Sequence, residues 1–132
     1  MDMNSFTKMN FKKPKKVFIE EYSKIRPKVL AEMNSYMLAY ENIEQIVGED
    51  NIGMMLDNHK NHAEFMAAFL LEFNKEVLPE IMIWVFKAYM SRGFKVEYWD
   101  VQLNGWLSVL RSNMSKEGFE SIEPIYKWML NN

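Results

Sequence analysis

Two histidines, His59 and His62, are the side chains best suited to chemistry in this 132-residue chain, which contains no others. They stand three positions apart in NHKNHAEFMAAFLLEF, residues 58–73, a stretch that is otherwise mostly apolar and favours a helix. A pair with this spacing could hold a metal or haem, line a ligand pocket, or lie at a helix surface. The direction in which the pair points decides between these possibilities.

The pattern around the histidines predicts a long helix that begins with a cap at Asp50 or Asn51 and ends near Phe73. Its apolar stripe advances in steps of three and four residues and passes through both histidines, so we expect the pair to face the interior. The members of this stripe are Ile52, Met55, Leu56, His59, His62, Ala63, Met66, Phe69, Leu70 and Phe73. Imidazoles in such a position must be hydrogen-bonded, because an unpaired polar group in an apolar interior is destabilising.

Few residues interrupt helical structure, since the chain has only 5 glycines and 4 prolines. Hydrophobic periodicity predicts six further helical segments, at about 17–25, 27–40, 43–47, 80–92, 96–114 and from 115 onward. Pro27 is expected to end or kink the first of these and to open the second. No stretch has the pattern of a strand. The predicted class is therefore all-α, a globin-like bundle of about six helices without haem.

The composition predicts a single domain at residues 17–132, preceded at residues 1–16 by a basic tail or arm that contains TKMNFKKPKK. The 16 Lys and Arg are balanced by 18 Asp and Glu, which gives no reason to expect nucleic acid. The absence of cysteine excludes disulfides, cysteine-based zinc sites and thiol catalysis. No apolar run is long enough for membrane insertion, and no secretory signal is evident, so we expect a cytoplasmic protein.

Motifs for catalysis, metal binding and haem binding are weak. No serine stands in a Gly-x-Ser-x-Gly turn and no glycine-rich loop could hold phosphate, so no enzyme activity and no catalytic residue is predicted. A His-x-x-His pair offers two zinc ligands without an identifiable third, and neither histidine follows the Glu-x-x-His pattern of di-iron bundles. Haem needs an axial ligand on a facing helix, where only Tyr89 or a methionine is available. We therefore expect neither metal nor haem.

A ligand pocket is the interpretation that these patterns favour. Gln102 is a second inward polar group, and an apolar tunnel with a polar end made by His62 and Gln102 would suit an amphiphile with one polar head. A histidine that can carry charge would favour a carboxylate or a small anion there. The residues predicted to bind the ligand are His59, His62, Phe65, Met66, Phe69, Val85, Phe86, Tyr89, Trp99, Gln102, Leu103 and Trp106. The alternative is a helical protein–protein interaction module with a solid core and no small-molecule ligand.

Three stretches carry a resemblance to a known family: HKNHAEF at 59–65, LPEIMIWVFKAYMSRGFKVEYW at 78–99 and QLNGW at 102–106. With its length and helix order, the chain resembles the haem-less globin-fold sensor domains of sporulation histidine kinases, especially the plasmid-encoded sporulation-inhibitory proteins of the anthrax group. The resemblance implies a homodimer that holds a fatty acid in a hydrophobic tunnel and a halide such as chloride in a nearby polar chamber. It also implies that the protein inhibits sporulation by competing for the signal of a sensor histidine kinase.

Two further resemblances leave other ligands open. Non-haem globin sensors, including stressosome subunits, share the implied fold without the same ligand. Residues 92–106, RGFKVEYWDVQLNGW, are similar to helical domains that cap cobalamin-binding modules, although no such module is present in this sequence.

The helix that contains IMIWVF is apolar on both sides, and we expect it to form the interface of the homodimer.

Overall fold

The computed structural model describes residues 12–131, and in this range every regular element is helical. The elements are α1 (Lys16–Leu38), α2 (Ile43–Val47), a 3-10 helix (Glu49–Asn51), α3 (Ile52–Glu72), α4 (Val77–Ser91), α5 (Glu97–Asn113) and α6 (Lys116–Asn131). The predicted all-α class and the bundle of about six helices are confirmed. None of these helices is long and apolar enough to span a membrane.

Most of the predicted basic tail, residues 1–16, lies outside the described residues. Its last part, 12–15, has no helical structure and leads directly into α1. Lys13 Nζ donates a hydrogen bond to the carbonyl of Leu71 near the end of α3, at 2.8 Å. This final part of the tail therefore contacts the domain.

Pro27 lies inside the continuous helix α1, so the predicted break at this residue is wrong. Proline lacks an amide hydrogen and crowds the carbonyl four residues earlier, which usually ends or kinks a helix. Here, tertiary contacts hold both halves. The hydroxyl of Tyr22, before the proline, donates to the carbonyl of Ala63 in α3 at 2.9 Å, and Val29 and Met33, after it, are completely buried. Packing on both sides thus overrides the local preference of proline.

Helix α1 packs against α3 and α5, and α5 also packs against α6. Gly105 lies at a tight contact between α5 and side chains of α1: a Cβ added there would stand 2.9 Å from Tyr36 Cε1 and 3.1 Å from Met33 Cε. The absence of a side chain at this position therefore permits the short separation of the two helices. This contact brings the inward face of α5 close to the centre of the bundle.

Helix α4 differs from the other long helices because it has no extensive close backbone contact with any of them. It is attached by buried side chains, including Leu78, Met82 and Tyr89, while Trp84 is 71% exposed. The larger separation of α4 from its neighbours leaves space between α3, α4 and α5.

The corner between α4 and α5 is fixed to the α2 region by two hydrogen bonds. Asn51 Nδ2 donates to the carbonyl of Arg92 at 2.8 Å, and the amide of Lys95 donates to the carbonyl of Ile46, also at 2.8 Å. Gly93 has φ +95° just after the end of α4, as its helix-stop position predicts. Asn51 is the N-cap residue of α3, one of the two positions predicted for the cap, but its side chain makes no capping hydrogen bond to α3 and binds this corner instead.

Candidate functional site

His59 points into the bundle, as the periodicity of α3 predicts, and is 1% exposed. Its Nδ1–H donates to Asn34 Oδ1 of α1 at 2.8 Å, and the hydroxyl of Tyr98 in α5 lies 3.5 Å from Nε2. The ring also meets Trp106 edge-on, with 5.8 Å between centroids. These contacts satisfy the imidazole and connect α3 to α1 and α5.

His62 is half-buried one turn further along α3. The hydroxyl of Tyr126 in α6 lies 2.7 Å from its Nε2, and its ring stacks on Trp106 with a centroid distance of 4.7 Å. Tyr126 is completely buried, so its hydroxyl hydrogen needs an acceptor, and Nε2 is the acceptor within reach. The proton of the neutral ring is then at Nδ1.

Both histidines are neutral near neutral pH. Burial lowers the pKa of His59 to about 4, and burial, with a smaller contribution from the neighbouring His59, lowers the pKa of His62 to about 3. Burial also raises the pKa of Tyr126 well above its ordinary value, which keeps the phenol protonated as a donor. His62 therefore carries no positive charge at pH 7 with which it could attract an anion.

A cavity of about 330 Å³ lies between α3, α4 and α5, beside His62. Apolar side chains form most of its wall, and among residues 12–131 Arg92 is the one lining residue with a formal charge. Its lining residues within the described part of the chain are Asn58, Asn61, His62, Phe65, Ile81, Met82, Trp84, Val85, Ala88, Tyr89, Arg92, Trp99, Gln102 and Leu103. Asn61, Trp84 and Arg92 are the exposed residues of this lining, and the cavity meets the solvent beside them.

Seven of the twelve residues predicted to bind a ligand line this cavity: His62, Phe65, Val85, Tyr89, Trp99, Gln102 and Leu103. The other five, His59, Met66, Phe69, Phe86 and Trp106, do not line it. Four of these are almost completely buried in the packed core, and Phe86 instead stands edge-on to Trp99 with 5.3 Å between ring centroids. The helical periodicity identifies an inward face, but only the side of that face toward α4 borders the cavity.

The sequence interpretation missed seven lining residues: Asn58, Asn61, Ile81, Met82, Trp84, Ala88 and Arg92. A signal for part of this set is present in the sequence. Ile81, Val85, Ala88 and Arg92 follow each other in steps of four, three and four residues, which places them along one side of a helix. The small side chain of Ala88 leaves room in the middle of that side.

Two buried polar side chains in the wall of the cavity have no hydrogen-bond partner in the part of the chain that the structure describes. Gln102 is 4% exposed and Tyr89 is 7% exposed, and neither makes a side-chain hydrogen bond to residues 12–131. By contrast, Trp99 Nε1 in the same wall donates to the carbonyl of Met129 at 3.3 Å. Their polar atoms are not fully enclosed, since Trp106 Nε1 is the one enclosed side-chain nitrogen or oxygen without a partner among residues 12–131. Gln102 and Tyr89 therefore present unpaired polar atoms to the cavity and are candidates to contact a ligand.

Trp106, between the two histidines, carries another unpaired donor. It is 1% exposed, and its Nε1 is buried without an acceptor among residues 12–131. Within the same residues, no three His, Cys, Asp or Glu side chains are close enough together to hold a metal ion.

Comparisons with protein-family models, curated proteins and solved structures find no match to this chain. The geometry of the cavity and its polar side chains is therefore the basis for a functional assignment.

Proposed function

We propose that this chain is a non-enzymatic signal-sensing domain that binds a fatty acid in the cavity between α3, α4 and α5. The observation that carries the proposal is the side chain of Gln102, which is 4% exposed and has no hydrogen-bond partner among residues 12–131, in an otherwise mostly apolar wall. Ligand pockets combine a mostly apolar lining with a few polar groups, and their volumes are about 300–1,000 Å³. The cavity of about 330 Å³ lies at the lower end of that range.

The wall suits an alkyl chain because its aromatic and aliphatic side chains come from three different helices. Phe65 belongs to α3, Val85 to α4 and Leu103 to α5, and all three line the cavity. Each methylene removed from water contributes about 0.8 kcal/mol, so a chain of several methylenes would also draw α4 toward the rest of the bundle. Closer attachment of α4 is a change that a partner protein could detect.

The proposal includes the role that the family resemblance implies. The domain binds its signal in the cytoplasm, competes for it with a sensor histidine kinase, and thereby inhibits sporulation, in a globin-like fold without haem. A halide such as chloride is part of the proposal, since a small anion would accept the buried N–H of Trp106, which has no acceptor among residues 12–131. His59 and His62 would then position the indole through ring contacts.

Palmitate is the probe for the proposed ligand. Added to lipid-free protein at 100 times its Kd, palmitate is expected to raise the free energy of unfolding by about 2.7 kcal/mol, seen as a higher Tm. Ala88→Phe places a ring in the cavity from the α4 side and should abolish this shift without lowering the Tm of the free protein. Ala68→Phe, at an exposed position of α3 outside the cavity, is the matched control and should keep the shift.

An unchanged Tm at saturating palmitate, or a full shift in the Ala88→Phe variant, would contradict binding in this cavity. The interaction module without a small-molecule ligand would then be the better hypothesis. In cells, the Ala88→Phe variant should also lose the ability to inhibit sporulation that the Ala68→Phe variant retains.

We also propose that the protein is a homodimer through α4. Trp84 is 71% exposed on this helix, and an exposed tryptophan is typical of the central residues of protein interfaces. Trp84→Glu is expected to yield monomers in light scattering. The matched control is Leu71→Glu, which changes another exposed apolar side chain, 63% exposed, to the same acid on α3. Monomeric wild-type protein, or equal dissociation by both variants, would count against an α4 interface.

A further inference from the structure

Among the polar residues of the cavity, which also include Asn58, Asn61 and His62, two groups differ most in charge and exposure. Arg92 is charged and exposed at the opening. Tyr89 and Gln102 are neutral and more than nine-tenths buried in the wall. Arg92 follows α4, whereas Gln102 lies in the second turn of α5, so a bound molecule could contact both groups at different points along its length.

Arg92 is positioned to bind an anion. Its carbonyl is held by Asn51 at 2.8 Å, which fixes the backbone at the corner, and its Nη1 lies 3.5 Å from Met54 Sδ, a weak acceptor. Within residues 12–131, its guanidinium forms no ion pair with an acidic residue, and no carboxylate lines the cavity. A guanidinium binds a carboxylate through two parallel hydrogen bonds, and at the exposed opening both groups keep part of their hydration.

The buried pair requires a different kind of group. A carboxylate gains more from the guanidinium of Arg92 than from the neutral side chains of Gln102 and Tyr89. A plain alkyl chain would leave the amide and the phenol unpaired, which is also unfavourable. A hydroxyl group both donates and accepts, so it can bind the amide oxygen of Gln102 or its N–H, and it can accept from the hydroxyl of Tyr89.

We propose that the cavity selects a fatty acid with a hydroxyl group on its chain, whose carboxylate binds Arg92 and whose hydroxyl binds Gln102 and Tyr89. This inference rests on the proposed fatty-acid binding and adds the chemical class of the ligand. It also assigns the polar end of the ligand to Arg92 rather than to His62, which is neutral and already bonded to Tyr126.

Calorimetric titration tests the inference with palmitate and a series of monohydroxypalmitates that carry the hydroxyl at successive carbons outward from the carboxylate. The hydroxypalmitate with its hydroxyl at one position, or at either of two adjacent positions, should bind about tenfold more tightly than palmitate. This is the gain expected for a buried hydrogen bond to an otherwise unpaired group. Gln102→Leu should remove this preference and leave palmitate affinity equal or higher. Gln45→Leu, at an exposed position of α2, is the matched control and should keep the preference.

A second variant tests the carboxylate contact without a change in the buried wall. Arg92→Gln should weaken palmitate binding about tenfold and leave the binding of methyl palmitate unchanged. Arg111→Gln removes an exposed arginine outside the cavity and should bind both probes as the wild type does.

The outcomes separate this inference from the proposal on which it depends. If palmitate binds and no hydroxypalmitate binds more tightly, or if Gln102→Leu keeps the preference, selection for a hydroxyl is wrong and fatty-acid binding stands. If Arg92→Gln weakens both probes equally, the carboxylate assignment is wrong. If neither palmitate nor any hydroxypalmitate binds, both proposals are overturned.

Discussion

Lowering the pH from 7 to 5 is expected to reduce the free energy of unfolding by about 4 kcal/mol. In the folded protein the pKa of His59 is about 4 and that of His62 is about 3, whereas both are about 6.5 in the unfolded chain. Below pH 6.5 the unfolded state therefore binds more protons, and stability falls as the pH falls. At pH 5 each ring accounts for about 2 kcal/mol, since one pH unit corresponds to about 1.36 kcal/mol.

Between pH 6.5 and 5, the change in the free energy of unfolding should come mainly from these two rings. The chain has no other histidine, and ordinary carboxylates titrate nearer pH 4. The contribution of His59 continues to fall until about pH 4 and that of His62 until about pH 3, the folded-state pKa values of the two rings.

Urea unfolding at pH 7 and at pH 5 measures the effect. His62→Gln removes one titrating ring, while the glutamine amide can still accept from the hydroxyl of Tyr126, so about half of the pH dependence should remain in this variant. Equal stability of the wild type at the two pH values would show that the rings are not buried as neutral groups. An unchanged pH dependence in His62→Gln would assign the effect to other residues.

Periodicity was sufficient for the helical features of the fold, because those features depend on local spacing. The stripe of α3 correctly predicts that His59 faces inward, and Gly93 correctly predicts the end of α4. Pro27 shows the limit of local rules. Its effect on a helix depends on side chains before and after it that are held by other helices, and these contacts are not visible in the sequence around the proline.

The cavity was only partly predictable for a related reason. His62 and His59 belong to the same stripe, yet only His62 borders the space, because the position of α4 decides which part of the stripe is covered. That position depends on the corner held by Asn51 and Lys95 through bonds to residues more than forty positions away. Hydrophobic patterns identify faces of helices, and they carry no information on the distance between two faces.

Trp106 contacts both histidine rings. Trp106→Ala is expected to lower the free energy of unfolding by about 3–5 kcal/mol. The side chain is 1% exposed, stacks on His62 and meets His59 edge-on. Its removal would leave a void at the centre of the bundle and would expose two neutral imidazoles to it. Denaturant unfolding at pH 7 measures the loss.

Trp106→Phe separates packing from hydrogen bonding at this position. Phenylalanine keeps an aromatic ring for both histidines and removes an N–H that has no acceptor among residues 12–131, so its destabilisation should be below about 1.5 kcal/mol in chloride-free buffer. If a halide binds at Trp106, chloride should stabilise the wild type. It should leave the stability of the Trp106→Phe variant unchanged, because this variant lacks the indole N–H. A similar loss in Trp106→Ala and Trp106→Phe would show that a phenyl ring does not replace the packing of the indole. An equal response of the wild type and Trp106→Phe to chloride would rule out a halide at Trp106.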